Sequence, residues 1–304
     1  MKKSIFFLIL IFFILLSLNT DGSVTKNSQL SVTPLLDTPT NRLYFNGLMK
    51  DIKNAKENIK IIMNTVDYYP KYPEGPQRNL FDNIIAAANR GIQIRIFLDS
   101  SKWSESITEG NKKAAEFLER PGIQIKFDNP KTTTHSKTVI IDNRIIYLGS
   151  SNWNYPTYVE TYQSNIRIES KVIAKELAHF FNYLWEGKTM KIITPPWDLT
   201  SSGIIPLLNT NDSRSYLQAV EKLIEKAKST IRIAMYRIGY YPKFENSPSN
   251  SLLNKLIKAR EEGVKVYVLL DKSDWSENTN ELNKESAWWL KINGIKVSFD
   301  QPEH

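Results

Sequence analysis

No cysteine occurs among the 304 residues. That excludes disulfides, thiol nucleophiles, anchoring through a lipidated cysteine, and Cys-based zinc or iron–sulfur centres. Histidine is scarce as well. His135, His179 and His304 are the whole set, which argues against a His-rich metal site. The longest apolar run, Ile5 to Leu16, is short for a bilayer span of about 20 residues. Acidic residues are outnumbered, 32 against 40 Lys and Arg, leaving a net charge of +8. That balance favours anionic partners: nucleic acid, phospholipid head groups or another polyanion. Hydrophobic content of 41% and aromatic content of 11% describe a globular chain.

The first residues read as an address. Lys2 and Lys3 precede the apolar run, and polar Ser17, Asn19, Thr20 and Asp21 follow it. Residues 1–23 therefore fit a secretory signal peptide, or an uncleaved N-terminal anchor since no small-x-small cleavage site stands out. The expected location is secreted or extracytoplasmic. Holding an exported chain together without disulfides then falls to its core.

The richest stretch is His135 to Asn152, HSKTVIIDNRIIYLGSSN, which reads H-x-K-x4-D-x6-G-S-x-N. Physically it is a β-hairpin: an apolar Val139-Ile140-Ile141 arm, a polar Asp142-Asn143-Arg144 corner and an Ile145 to Leu148 return. Side chains two apart share a strand face, so His135 and Lys137 point the same way. A turn centred on Asn143 brings His135 opposite Ser151 and Lys137 opposite Gly149. Such a grouping suits a phosphate. Lys137 supplies charge, and Ser150 and Asn152 supply neutral donors. Gly149 is expected to leave room for a ligand near the backbone. His135 is a plausible nucleophile, because an unperturbed imidazole pKa of about 6.5 leaves a neutral fraction near pH 7.

These six positions resemble the phospholipase D superfamily, whose defining motif has this pattern. The resemblance implies phosphodiester hydrolysis or transfer through a covalent phosphohistidine, with neither metal nor other cofactor. Carried over, the catalytic set is His135, Lys137, Asp142 and Asn152. His135 would be the nucleophile or its acid/base counterpart, and Lys137 and Asn152 would hold phosphate oxygens. Ser150 would assist, while Asp142, at the corner, takes a more structural part.

Around the motif, strands and helices alternate. Helix spacing covers about Arg42 to Ala55, 79–90 and 111–120, and strands are expected at 59–66, 92–99, 123–128 and 165–170. SSKWSES, ahead of the third helix, reads as loop. An apolar stripe of Val172, Leu177, Phe180, Phe181 and Leu184 marks a last helix, with His179 beside it as a packed or surface residue. The expected fold is α/β, phospholipase D-like, with a mixed β-sheet flanked by helices.

The chain then repeats itself. LLDTPTNRLYF at Leu35 returns as LLNTNDSRSYL at Leu207, a displacement of 172. At the same displacement Tyr68-Tyr69-Pro70-Lys71 returns as Tyr240-Tyr241-Pro242-Lys243, Asp99 as Asp271, Trp103 as Trp275, and Phe127-Asp128 as Phe299-Asp300. This gives a first repeat at 31–194 with the complete motif, a linker at 195–206, and a second repeat at 207–304 that stops before its own motif. His304 aligns with Thr132 and is read as the end of the repeat. Tyr69 and Trp103, after strand ends and among basic residues, are candidate substrate-binding aromatics that could stack bases or meet a lipid surface. Packing against the neighbouring repeat is the plain alternative. Asp99 and Asp271 are read as loop caps.

Two features depart from the family pattern. The counterpart of His135 would fall at position 307, beyond His304. The glutamate usually found on the strand after the motif is replaced, by spacing, with Gln163, which lacks the charge to stabilise an imidazolium. The leading expectation is an exported phosphodiesterase, phospholipid slightly favoured over nucleic acid, with a homodimer able to complete the site and membrane-surface association possible. The alternatives are an inactive phosphate- or polyanion-binding protein, a fragment of a longer enzyme, and a nuclease for single-stranded nucleic acid. The gapless repeat up to Pro302 favours a longer gene product.

Overall fold

The computed structural model describes residues 30–100, 102–188, 204–210, 213–272 and 276–300. The expected leader at 1–23, most of the linker, Trp275 and His304 lie outside the described residues. Two compact units emerge, one within 23–206 and one from Leu207 onward.

In the first unit β1 (Ser31–Asp37) is followed by α1 (Leu43–Asn54), β2 (Asn58–Met63), α2 (Pro76–Asn89), β3 (Gln93–Leu98), α3 (Glu105–Leu118) and β4 (Ile123–Phe127). The hairpin β5 (Lys137–Ile141) and β6 (Ile145–Gly149) comes next, then a one-turn α4 (Tyr155–Val159), β7 (Gln163–Glu169) and α5 (Lys171–Glu186). The seven strands form one mixed sheet in the order β1-β7-β6-β5-β2-β3-β4. β2, β3 and β4 run parallel. β5, β6, β7 and β1 pair antiparallel.

Local sequence explains the helices. α1 buries Tyr44, Phe45, Leu48 and Ile52, the stripe that a 3.6-residue period makes. α2 opens on Pro76 and stops where Gly91 takes φ +91°. α3 begins six residues earlier than its apolar spacing predicts. Ser104, in the stretch read as loop, caps it by accepting the Ile107 N–H at 3.4 Å.

One sheet face, with Ile59, Ile61, Ile94 and Ile96, packs on Leu48, Ile52, Phe81 and Ile84 of the helices. On the other face Ile62 and Phe97 meet Phe181 of α5.

The second unit opens with a short pair, β8 (Asn209–Thr210) and β9 (Ser213–Arg214). α6 (Ser215–Lys226), β10 (Thr230–Met235), α7 (Pro248–Glu261), β11 (Lys265–Leu270), α8 (Glu277–Ile292) and β12 (Lys296–Phe299) follow. β10, β11 and β12 form a parallel sheet, the counterpart of β2, β3 and β4. Buried side chains repeat along with the elements. Asn111 accepts the Val66 N–H at 2.7 Å and donates to the carbonyls of Asn64 and Asp99. Asn283, 172 positions on, accepts the Ile238 N–H at 2.9 Å and donates to Tyr236 and Asp271.

Candidate active site

The hairpin turns where the sequence places the turn. Asp142 and Asn143 adopt φ of 53° and 45°, and the Arg144 N–H donates to the Ile141 carbonyl at 3.0 Å. Positive φ at both central residues is the geometry that fits the twist of paired strands, and Asp and Asn tolerate it. The register runs Ile141↔Ile145 to Thr138↔Leu148. His135 lies just ahead of β5, half-buried, and β5 is central to the sheet, its other edge paired with β2 (Met63↔Lys137).

The backbone entering His135 is pinned from three sides. The Thr134 N–H donates to Asp99 Oδ1 at 2.8 Å and to Asp128 Oδ2 at 2.9 Å. The Thr134 carbonyl accepts from Asn64 Nδ2 at 3.1 Å. Asp128 also caps the end of β3 by accepting the Ser100 N–H at 2.7 Å. On the far side of His135, Lys137 Nζ donates to the His135 carbonyl at 3.0 Å. Lys137 is buried, and desolvation pushes its pKa down to about 7, with Asp99 pulling the other way. A cation held so close to neutrality gains most when a phosphate arrives beside it.

The G-S-x-N arm is held as firmly, with a different use of glycine from the expected one. A Cβ at Gly149 would lie 2.0 Å from Asn165 Oδ1 and 2.7 Å from Asn165 Cα. The space is filled by Asn165, not left for a ligand. Asn165, itself buried, accepts the Ser151 N–H at 3.2 Å and donates to Ser151 Oγ at 2.8 Å. Trp153 is buried, its N–H bonded to the Thr65 carbonyl at 2.9 Å and its indole N–H to Tyr44 Oη at 3.2 Å. Between these anchors Asn152 keeps a buried Oδ1 with no hydrogen-bond partner. Oδ1 can only accept, so it is the Nδ2 end of this amide that would donate to a phosphate oxygen.

Three further expected residues have partners of their own. Asp142 is at the turn, at the opposite end of β5 from His135. Its carboxylate accepts the N–H groups of Lys56, Glu57 and Asn58 between 2.8 and 3.2 Å, a clamp on the α1–β2 loop that agrees with the structural part expected of it. Ser150 Oγ donates to Gln163 Oε1 at 2.6 Å and accepts the Ser164 N–H at 2.9 Å. The Gln163 amide also donates to Thr161 Oγ1 at 2.7 Å, so it is engaged with the serine arm.

Of the aromatics, Tyr69 packs against Tyr155, three residues past Asn152. Its hydroxyl donates to Asp67 Oδ2 at 3.0 Å and accepts the Tyr155 N–H at 3.5 Å, and burial raises its pKa to about 12. Trp103 is 39% exposed in the turn ahead of α3, next to Lys102, whose N–H bonds the Pro130 carbonyl on the approach to His135. His179 stacks edge-on with Tyr183 on α5.

Sequence reasoning missed the pinning set of Asn64, Asp128 and Asn165, and read Asp99 only as a cap. For Asp99 and Asp128 a signal existed: both recur 172 residues later as Asp271 and Asp300, and Asp300 Oδ1 likewise accepts the Lys272 N–H.

The family described as "Cardiolipin synthase, PLD-like domain" matches residues 48–185 and 220–302. The chain belongs to this phospholipase D-like family, which bears out the resemblance carried by the motif. Among curated proteins it is similar to cardiolipin synthase A of Shigella boydii serotype 4, 28% identical over 274 residues, covering 83% of this chain and 54% of the relative. Cardiolipin synthase A of Escherichia coli O157:H7 is 27% identical with the same coverage. The chain spans about half the length of these relatives. Among solved structures, polyphosphate kinase from Porphyromonas gingivalis shares the fold at 16% identity and a TM-score of 0.51, over 80% of this chain and 38% of that one.

Proposed function

We propose that the first unit carries one histidine half of a phosphodiester-cleaving or -transferring site, with phospholipid favoured over nucleic acid as substrate. The observation that carries this reading is the pairing of His135 and Lys137 on a backbone pinned by Asp99, Asp128 and Asn64. His135 attacks phosphorus while the bond from phosphorus to the leaving alcohol breaks, and the leaving oxygen takes a proton from an opposing acid. Water or a second alcohol then attacks the phosphohistidine and frees the imidazole. Lys137 and Asn152 hold the non-bridging oxygens throughout. The opposing acid comes from outside the described residues of this unit, where His179 on α5 is the other histidine; a second copy of the chain is one source. Similarity to cardiolipin synthases supports the phospholipid preference. The basic apolar leader supports action outside the cytoplasm, at or near a membrane surface.

A second reading, phosphate binding without turnover, is favoured by Gln163, a neutral amide already committed to Ser150. Hydrolysis of bis-(p-nitrophenyl) phosphate by the full chain, beside His135→Asn and with EDTA present, separates the two. Turnover that His135→Asn abolishes and EDTA spares is expected. Binding of the diester with no turnover in the unmodified chain would replace catalysis with the second reading. Release of head group from phosphatidylglycerol vesicles, set against cleavage of single-stranded DNA, reads the substrate class.

A further inference from the structure

A polar cleft of about 370 Å³ opens on the α5 face of the first sheet, away from His135. Its floor is built by register. Lys60 pairs with Arg95 and Arg95 with Gln124, while Asn58 pairs with Gln93 one row earlier. Alternation puts these side chains on the face where, one row later, Ile62 and Phe97 lie under Phe181. The cleft is therefore the stretch of that face beyond the apolar cover of α5. It borders the hairpin turn at Asn143, and the five-residue β5 separates that turn from Lys137 by roughly 17 Å at 3.3–3.4 Å per residue, with His135 further still.

Among the described residues no carboxylate lies within ion-pair distance of the cleft's two cations, Lys60 and Arg95, and Glu57 and Glu186 act on them only at longer range. Lys60 is 6% exposed, and its ammonium donates to two neutral acceptors, Asn58 Oδ1 at 2.8 Å and Asn143 Oδ1 at 2.7 Å. Two bonds leave a third N–H direction of the ammonium for a ligand. Arg95 reaches Asn182 Oδ1 at 3.4 Å and otherwise lies over the rings of Phe181 and Trp185, 5.3 and 5.5 Å from their centroids. Glu57 lines the rim. Burying a lysine beside an arginine costs free energy unless an anion offsets it. Burial, and then Arg95, push the Lys60 pKa down to about 8. The second unit keeps cations in the same row on a different set of side chains. Arg232, Tyr267 and Lys296 occupy the positions of Lys60, Arg95 and Gln124, and both cations sit 5.6 Å from the Tyr267 centroid.

We propose that this cleft is a second anion site, taking an oxyanion of the phosphate-monoester type between Lys60 and Arg95, with the Gln93 and Gln124 amides as neutral donors. The volume falls within the range of small-molecule sites, about 300–1,000 Å³, so the oxyanion can carry an attached group. A soluble phosphate ester and a lipid head group share this chemistry.

The test is isothermal titration with glycerol 3-phosphate on the full chain carrying Lys137→Ala, which removes the charge of the catalytic site. Binding is expected to weaken at least tenfold in Arg95→Gln and in Gln124→Glu. Both changes are at partly or fully exposed positions, and circular dichroism melting confirms that each variant folds. A parallel arm sediments the same proteins with vesicles of phosphatidic acid in phosphatidylcholine. Arg95-dependent binding of the soluble ester identifies a soluble ligand, and Arg95-dependent sedimentation alone identifies a lipid. Absence of binding in both arms, or binding indifferent to Arg95→Gln and Gln124→Glu, would overturn the proposal.

Discussion

Lys137 returns its ammonium to the carbonyl of His135 at 3.0 Å, so the residue that would hold a phosphate oxygen also fixes the backbone of the candidate nucleophile. The two roles compete for one cation. Lys137 is buried with a neutral carbonyl as a hydrogen-bond partner, and that desolvation is the physical origin of its depressed pKa.

A pH signature in stability follows. Burial lowers the Lys137 pKa from 10.5 to about 7, so between those values the unfolded chain binds the extra proton. Stability contributed at this site therefore rises with pH across the window from about 7 to 10.5, and the penalty is fully present below 7. Lys137→Met should raise Tm most at pH 6, with the gain shrinking toward pH 10. Thermal melts of both proteins across that range check the sign. An equal gain at every pH would mean that Lys137 titrates normally.

Asp142 holds the α1–β2 loop through four contacts to three N–H groups. Asp142→Ala leaves those donors without their charged acceptor, at a cost of about 2–3 kcal/mol. Urea denaturation reads this directly. Diester hydrolysis at His135 per folded molecule should be unchanged, since the turn lies at the far end of β5 from His135.

Much of this architecture is legible in the sequence. The hairpin register follows from one polar corner between two apolar arms, and the duplication from an ungapped displacement of 172. What escaped was set by partners distant in sequence. Gly149 looks the same whether the space above it waits for a ligand or is filled by Asn165, because the difference lies on β7. The clamp made by Asp142 has its donors more than 80 residues earlier. The first turn of α3 was hidden because Gly110 interrupts its apolar spacing, and Ser104 marks the start only as a cap. A Cβ there would sit 2.3 Å from Asp67 Oδ1, so any larger residue would have to displace that carboxylate.

Gly149→Ala tests the corrected role of the motif glycine. The added methyl must displace the Asn165 amide and press on its Cα, an overpacking that costs about 1–3 kcal/mol. Adding Asn165→Ala removes the amide and leaves the Cα clash at 2.7 Å, so rescue in the double variant should be partial. Full rescue, measured by chemical denaturation, would place the clash in the side chain alone.

The buried asparagines offer a matched pair. Asn111 and Asn283 make the same three hydrogen bonds to corresponding backbone groups in the two units. Each is buried, so truncation strands one N–H and two carbonyls. Asn111→Ala and Asn283→Ala should each cost about 2–4 kcal/mol in the unit that carries them. Hydrogen exchange can assign the loss, because protection falls first in the strands whose ends are released. For Asn111→Ala these are β2 and β3, and for Asn283→Ala they are β10 and β11. A loss of protection confined to the same strands in both variants would show that the duplicated contacts do not bear equal weight in their own units.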